Sequence, residues 1–454
     1  MNNPFLLPEG RTELLERLSA KSAAPHGDML AMLTKPEPAE TLQRVWGEAV
    51  PTEGQPLILY VHVPFCVSRC AFCGFYSHRT DDAALEAYTQ RLLKEIEREA
   101  ARGVFTKKPV DVVYFGGGTP TALSADQLRR VIGAIYQHFN VAPDVEFTIE
   151  GRIFAFDDER VRACLESGAT RFSFGIQSFQ TELRRSLGRR NSREELLTRL
   201  GEIKGMCGDR IALVADLIYG LPGQTQEQWM EENVKTVHDS ALDGVDLYSL
   251  KVFPGLPLAK RMEKEGWSEA ERAARHAAAC DWLASMGWRQ LSCTHWGRND
   301  LERNRYNHWA KTGADIVPFG CGAGGFVGDR SFMQTGDLEA WGRMVDAGEK
   351  PLATALRKPA NHRLRARLTD AMERGVFNPS DFPDTDFSPL LENWERAGVW
   401  VSLPDGGCRL TRLGEYYETK LAALLSGFIF AGRAGAFDAM KAGAGALKRD
   451  VEEK

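Results

Sequence analysis

The 454-residue sequence predicts an α/β protein built on a full or partial (β/α) barrel, followed by a small C-terminal winged-helix-like α+β domain. Three observations carry this expectation. From residue 57 onward, short apolar β-branched runs alternate with longer helical patterns; units of that length join parallel strands by crossovers, which leaves a doubly wound sheet or a barrel. Chemistry-bearing residues fall where successive runs end, at Cys66, Gly116 to Thr119, Glu150, Gln177 and Asp216, the end at which both architectures place their sites, and a barrel explains all five together. Beyond residue 355 the order changes to helices followed by a hairpin.

In chain order, residues 1–56 read as an N-terminal extension, with a proline pair at Pro36 and Pro38 and the loop PTEGQP at 51–56. The barrel and a substrate region occupy 57–354. The run LILYVHVP is the first strand, followed by a helix over 82–102 and the strand VDVVYF. A helix over 125–139, DVEFTIE, a helix over 158–167, RFSFGIQS and a helix over 193–206 come next. IALVADLIYGLPG, a helix over 226–240 and DGVDLYSLKVFPG complete the alternation. After about 260 come helical stretches and the motif-like RNRYNHWAKTGADIVPFGCGAGG. The domain at 355–454 has helices near 362–374 and 388–397, the hairpin VWVSLPDGGCRLT, and RLGEYYETKLAALL.

Composition excludes several classes. With 57 basic against 62 acidic residues there is no global positive field to recruit nucleic acid or an acidic membrane. No run approaches the roughly 18 apolar residues of a membrane span, so the most apolar stretch, 421–432, reads as a buried helix. The N-terminus lacks a basic region followed by an apolar core, and Cys164, Cys207, Cys280, Cys293, Cys321 and Cys408 lack framework spacing. Both features point to a reducing, cytoplasmic setting.

The other three cysteines are spaced C-x3-C-x2-C in HVPFCVSRCAFCGFY, at Cys66, Cys70 and Cys73. Soft thiolates suit zinc or an iron-sulfur cluster. Zinc wants a fourth ligand, which His62 or His78 supplies; a [4Fe-4S] cluster on three cysteines leaves one iron open to a substrate or cofactor. One strand later VVYFGGGTPT provides glycines where backbone can approach a ligand. Tyr60 precedes the first cysteine by six residues, in position to stack on the same ligand or simply to pack. Glu150 ends the third strand, followed by Gly151 and Arg152, either to accept hydrogen bonds from a cofactor or to form a solvated pair with Arg152. Gln177, Arg189 in LGRRNS, and Asp216 follow at the next strand ends.

The cysteine spacing, with an aromatic before the last cysteine and the glycine run behind it, resembles the radical S-adenosylmethionine superfamily. The order of the remaining constellation resembles its oxygen-independent coproporphyrinogen dehydrogenase-like family from Leu59 to about Trp341. That resemblance implies a [4Fe-4S] cluster on Cys66, Cys70 and Cys73 and two molecules of S-adenosylmethionine. Tyr60, Gly117 and Glu150 would contact the molecule on the cluster. Gly118, Thr119, Gln177, Arg189 and Asp216 would contact the second, and Lys251, Ala323 and Gly324 are later positions implied to bind cofactor.

Departures from the pattern choose among branches. The dehydrogenases carry a further cysteine where this chain has Phe75, and the heme chaperones usually read C-x-Y-C-D-F-N-S where this chain runs from Cys70 to Ser77 as CAFCGFYS. FCVSRCAFCGFY, Glu150-Gly151-Arg152 and RNRYNHWAKTGADIVPFGCGAGG look most like the anaerobilin synthases, which are anaerobic heme-degrading radical methyltransferases. The likeness implies radical-initiated methylation of heme with opening of the porphyrin, giving iron and a linear tetrapyrrole. Heme chaperone and coproporphyrinogen III dehydrogenase are the alternatives. Implied partners are heme as substrate, a low-potential electron donor such as flavodoxin, and a tetrapyrrole reductase or heme-delivery protein, with no nucleic acid. His295, His308, Cys321 and Lys251 are candidates to approach heme iron or a propionate, and Arg152, Arg298, Arg303 and Arg305 candidates to pair with propionates. The plain reading of each is a packed or solvated side chain.

Overall fold

A computed structural model describes residues 5–19, 36–74, 78–252, 255–265, 268–359 and 361–432. The chain divides into two units: Thr34–Pro359, and Met1–Leu33 together with Ala360–Lys454. The stretch 1–56 is therefore not one extension. Its later half belongs to the larger unit, where helix Leu42–Glu48 buries Val45 and Trp46, and the Trp46 indole donates to Glu99 Oε2 at 2.8 Å. Its beginning belongs to the smaller unit, where Phe5 meets Phe428 edge-on at 5.8 Å and Leu7 and Asn393 exchange two hydrogen bonds.

Seven parallel strands form the middle of the larger unit. They are β1 (Leu57–Val63), β2 (Val110–Gly117), β3 (Val141–Gly151), β4 (Arg171–Gln177), β5 (Ala212–Tyr219), β6 (Gly244–Ser249) and β7 (Asp315–Phe319), in the sheet order β7-β1-β2-β3-β4-β5-β6. Antiparallel strands extend both sides: His295–Gly297 and Arg289–Gln290 beyond β6, and Gly324–Val327, Arg330–Gln334 and Leu352–Arg357 beyond β7. The order is linear, so the architecture is a partial barrel. Strand β7 lies within the motif-like RNRYNHWAKTGADIVPFGCGAGG, whose short apolar run DIVPF carries too little periodicity to announce a strand by itself.

The crossover helices follow from local chemistry. Ser124 and Gln127 close a capping box on helix Ala125–His138, and Ser192 and Glu195 do the same on Arg193–Cys207, each satisfying otherwise orphaned amide donors. Helix Asp82–Ala101 starts at Asp81, whose carboxylate accepts from Ala84 N, and buries Leu85, Tyr88, Leu92 and Ile96 at helical spacing. Strand side chains alternate. One face of β1 and β2 sets Ile58, Tyr60 and Val112 with Ile316 against Tyr306 and Trp309 of helix Arg305–Thr312. That helix stacks Tyr306 on Tyr114 with ring centroids 3.8 Å apart.

In the smaller unit, Val376–Phe377, Cys408–Leu410 and Trp400–Ser402 form an antiparallel sheet beside helices His362–Glu373, Ser388–Arg396 and Glu418–Gly432. The last buries Leu421, Leu424, Leu425 and Ile429. Among the described residues no helix is long and apolar enough to cross a membrane.

Candidate functional site

After β1 the chain turns at Pro64 into the cysteine loop, where Phe65–Cys66 pairs with His78–Arg79 and Gly118 N donates to Val63 O at 2.8 Å. The loop is held to its neighbours by Ala71 N donating to Leu187 O and closed on itself by Cys73 N donating to Cys70 O. Cys66 and Cys70 are buried and Cys73 half-buried. They open on one cavity of about 220 Å³, which is also lined by Gly117, Gly118, Thr119, Glu150, Gln177, Arg189 and Asp216. Five strand ends thus deliver most of the expected residues to one place, though Tyr60 of β1 is not among the lining residues. Lys251 is exposed just past β6, while Ala323 and Gly324 sit at the start of the antiparallel extension, and none of the three lines this cavity. Phe75, Tyr76 and Ser77 lie outside the described residues.

The sulfurs have donors of their own. Thr119 Oγ1 donates to Cys66 Sγ at 3.7 Å and Arg152 Nη2 to Cys70 Sγ at 3.5 Å. Burial pushes the Cys66 thiol up, and the Thr119 hydroxyl pulls against that shift. Among the described residues the three sulfurs, with or without His62 or His78, do not converge within 4.8 Å. Ligands of a single tetrahedral zinc, each about 2.3 Å from the ion, would lie closer together. Three wider-set cysteines, two of them with a hydrogen-bond donor on sulfur, fit a [4Fe-4S] cluster.

Gly117 has φ +108°, and a Cβ there would lie 2.8 Å from the His62 ring; at Gly118 it would lie 2.6 Å from Phe65 O. Side chains are excluded from both. His62, offered by the sequence as a fourth zinc ligand, borders Gly117 instead, and the alternation in LYVHV places it on the face of Tyr60. Its Nδ1 is 3.0 Å from the Tyr60 hydroxyl, and burial lowers its pKa to about 4, leaving the ring neutral. Tyr60 stacks within reach of Tyr114 and Tyr306, and burial, then Tyr306 and Glu150, raise its phenol far above the usual range.

The Glu150 carboxyl is pushed up to about 7 by burial, against the pull of the Gly117 backbone amide and the Arg171 charge. It is not paired with Arg152, which turns instead to the cysteine loop. Gln177 is at φ +70°, just where the β4–β5 register breaks between Gly175 and Gln177. That bulge re-aims the Gln177 side chain into the cavity, at a strain of about 1–3 kcal/mol. Arg189 is anchored by Nη1 donating to Gly175 O at 2.7 Å, with its guanidinium 5.8 Å from the Phe72 ring.

Asp216 is driven far above the carboxylate range by burial, then by Asp246 and Glu150. Asp246, its register partner on β6, is the start of a buried ionic chain. Its Oδ1 lies 2.7 Å from His295 Nδ1, His295 Nε2 lies 3.0 Å from Glu302, and Glu302 lies 2.9 Å from Arg171 Nε. Burial opposes the charge on His295, yet Asp246 and Glu302 hold its pKa at about 9; Glu302 in turn is brought down to about 2 against its own burial by Arg171 and His295.

Of the candidate heme contacts, His295 is therefore committed to this chain. Arg303 and Arg305 donate to Asp144 O near the start of β3, the opposite end from Glu150, and Arg298 donates to Ser240 O. The Cys321 thiol donates to Thr335 O, and burial pushes it up to about 12. His308 lies half-buried in helix Arg305–Thr312.

The family description "Radical SAM superfamily" matches residues 60–232. The chain is 39% identical over 406 residues to the anaerobilin synthase of Escherichia coli O157:H7, covering 87% of this chain and 89% of that one. It is 27% identical to the heme chaperone HemW of Lactococcus lactis, over 63% of this chain and 73% of the relative. The solved structure of coproporphyrinogen III oxidase (HemN) from Escherichia coli is alike in fold, with a TM-score of 0.72 at 22% identity, covering 86% of this chain and 93% of that one.

Proposed function

Because this chain belongs to the radical S-adenosylmethionine superfamily and, within it, to the family of anaerobilin synthase, we propose that it degrades heme without oxygen, by radical-initiated methylation and opening of the porphyrin to iron and a linear tetrapyrrole. The observation that carries this reading is the convergence of Gly118, Thr119, Gln177, Arg189 and Asp216 on the cavity of the three cysteines. A methylation that is also radical-initiated needs two molecules of S-adenosylmethionine, one as radical source and one as carbon donor.

When bound, a cluster on Cys66, Cys70 and Cys73 supplies the electron for reductive cleavage of S-adenosylmethionine. The chain's own residues orient the reactants. Tyr60, Gly117 and Glu150 serve the molecule on the cluster: the glycine removes side-chain bulk, and Glu150, protonating near neutrality, accepts or donates hydrogen bonds with little charge penalty. Arg189 suits the carboxylate of the second molecule, and Gln177 and Asp216 its polar groups. Their shared task is to hold reactive partners in fixed order and keep water out. A low-potential donor of the flavodoxin kind feeds the reaction, and a tetrapyrrole reductase or heme-delivery protein is a fitting neighbour.

The test is anaerobic incubation of reconstituted protein with heme, S-adenosylmethionine and a low-potential donor, followed by mass spectrometry of the tetrapyrrole. A methylated, ring-opened product is expected. Heme recovered unchanged in a stoichiometric complex would instead support a chaperone, and turnover of coproporphyrinogen III alone a dehydrogenase.

A further inference from the structure

We propose that Arg152 is a positioning residue for the cluster, acting through Cys70 to raise the cluster's reduction potential. The inference rests on the cluster assignment alone and not on heme as substrate. Arg152 follows Gly151 at the end of β3, where its backbone amide donates to Thr121 Oγ1 at 3.2 Å. A Cβ at Gly151 would lie 2.6 Å from Thr121 Cγ2, so this strand end runs close against its neighbour and fixes where the arginine leaves the backbone.

The side chain is 7% exposed. Nη1 donates to both Ser68 O at 2.9 Å and Ser68 Oγ at 2.8 Å, and Nη2 donates to Cys70 Sγ at 3.5 Å. The Phe154 ring covers the guanidinium, 5.1 Å from its central carbon. Among the described residues no carboxylate forms an ion pair with Arg152; its partners are a carbonyl, a hydroxyl and a thiol, and Nε is buried without a partner. A buried arginine is normally matched by an acid. As a cluster ligand Cys70 supplies negative charge beside it, shared with the Arg189 guanidinium.

A guanidinium stays protonated under all working conditions, so it is a fixed positive charge against a cluster ligand in a low-dielectric setting. Adding an electron makes the cluster and its thiolates more negative, and the reduced state gains more from that charge than the oxidised state does. Hydrogen bonds to ligand sulfurs and local charge are the levers that set such potentials.

The experiment is a redox titration of reconstituted protein without S-adenosylmethionine, followed by the electron paramagnetic resonance signal of the reduced cluster. Arg152→Met should favour the oxidised cluster by at least ten-fold, a midpoint about 59 mV more negative for one electron. Arg152→Lys keeps the charge and should stay within that interval of wild type. An unchanged midpoint in Arg152→Met overturns the proposal, and so does a lysine variant that falls as far as the methionine one. Should Arg152→Met take up no cluster, Arg152→Gln, a neutral donor, is read by the same criterion. Failure of both neutral variants to bind iron also overturns it, because Arg152 would then build the site rather than tune it.

Discussion

Replacing His295 by leucine removes the one cation between Asp246 and Glu302 and leaves both carboxylates buried, with Glu302 still held by Arg171. Breaking a buried pair from one side costs about 3–5 kcal/mol. The pH dependence gives a second number of the same order. His295 is held at about 9 in the folded chain against 6.5 unfolded, which corresponds to about 3 kcal/mol of stability. Because the folded value is the higher one, that stabilisation is present in full below pH 6.5 and is lost as pH rises through 9. Urea denaturation followed by tryptophan emission at pH 6 and pH 9 should therefore show wild type losing about 3 kcal/mol more than His295→Leu over this interval. Glu150 also binds its proton more tightly folded than unfolded, and so weakens the fold between pH 4.5 and 7, but it does so equally in both proteins. If the two proteins lose stability in parallel, or if the variant at pH 6 is within about 1 kcal/mol of wild type, the ionic chain does not stabilise the fold as argued.

Three further outcomes are expected. Cys66→Ala, Cys70→Ala and Cys73→Ala should each abolish the brown cluster absorbance and all formation of 5′-deoxyadenosine, whereas full activity in a zinc-loaded, iron-free preparation would end the radical reading. Gly117→Val meets both the positive φ and the His62 ring, and should weaken S-adenosylmethionine binding about ten-fold or more by calorimetry, with the cluster spectrum intact; unchanged affinity would make the glycine run a mere turn. Gln177→Ala and Asp216→Ala should retain reductive cleavage while suppressing methylated tetrapyrrole, and Glu150→Ala should lower both, measured in one anaerobic reaction with methyl-labelled S-adenosylmethionine. Parallel loss of both products in the Gln177 and Glu150 variants would dissolve the two-site division.

How much was legible in the sequence differs by element. The crossover helices were, because capping residues such as Ser124 and Ser192 stand just ahead of amphipathic runs. The cavity wall was legible too, since side chains of parallel strands alternate and strand ends share one edge. Strand β7 was not, because the four apolar residues after Asp315 carry no period of their own and its place beside β1 is set by long-range pairing. The resemblance likewise offered His295 and three arginines as heme contacts, but carboxylates and carbonyls elsewhere in the chain engage them. Arg152 was read as a neighbour of Glu150 and a candidate partner of a propionate; that it would turn to Ser68 and Cys70 depends on packing against a loop 84 and 82 residues away. The N-terminal stretch looked free-standing because its partners are distant in the chain: Phe5 and Leu7 meet Phe428 and Asn393, while Trp46 meets Glu99.

Strand β1 is the first of the parallel strands to be synthesised and yet sits between two others. On one side β2 follows within about 50 residues; on the other, β7 pairs with it only about 250 residues later. At ribosomal speeds of about 5–20 residues per second, that separation lasts roughly 10–50 s. Throughout it β1 carries an unpaired edge, and the cysteine loop leaves directly from its end. The strand that launches the cysteine loop is thus the first parallel strand made, and it gains its second parallel neighbour only when the last one is made.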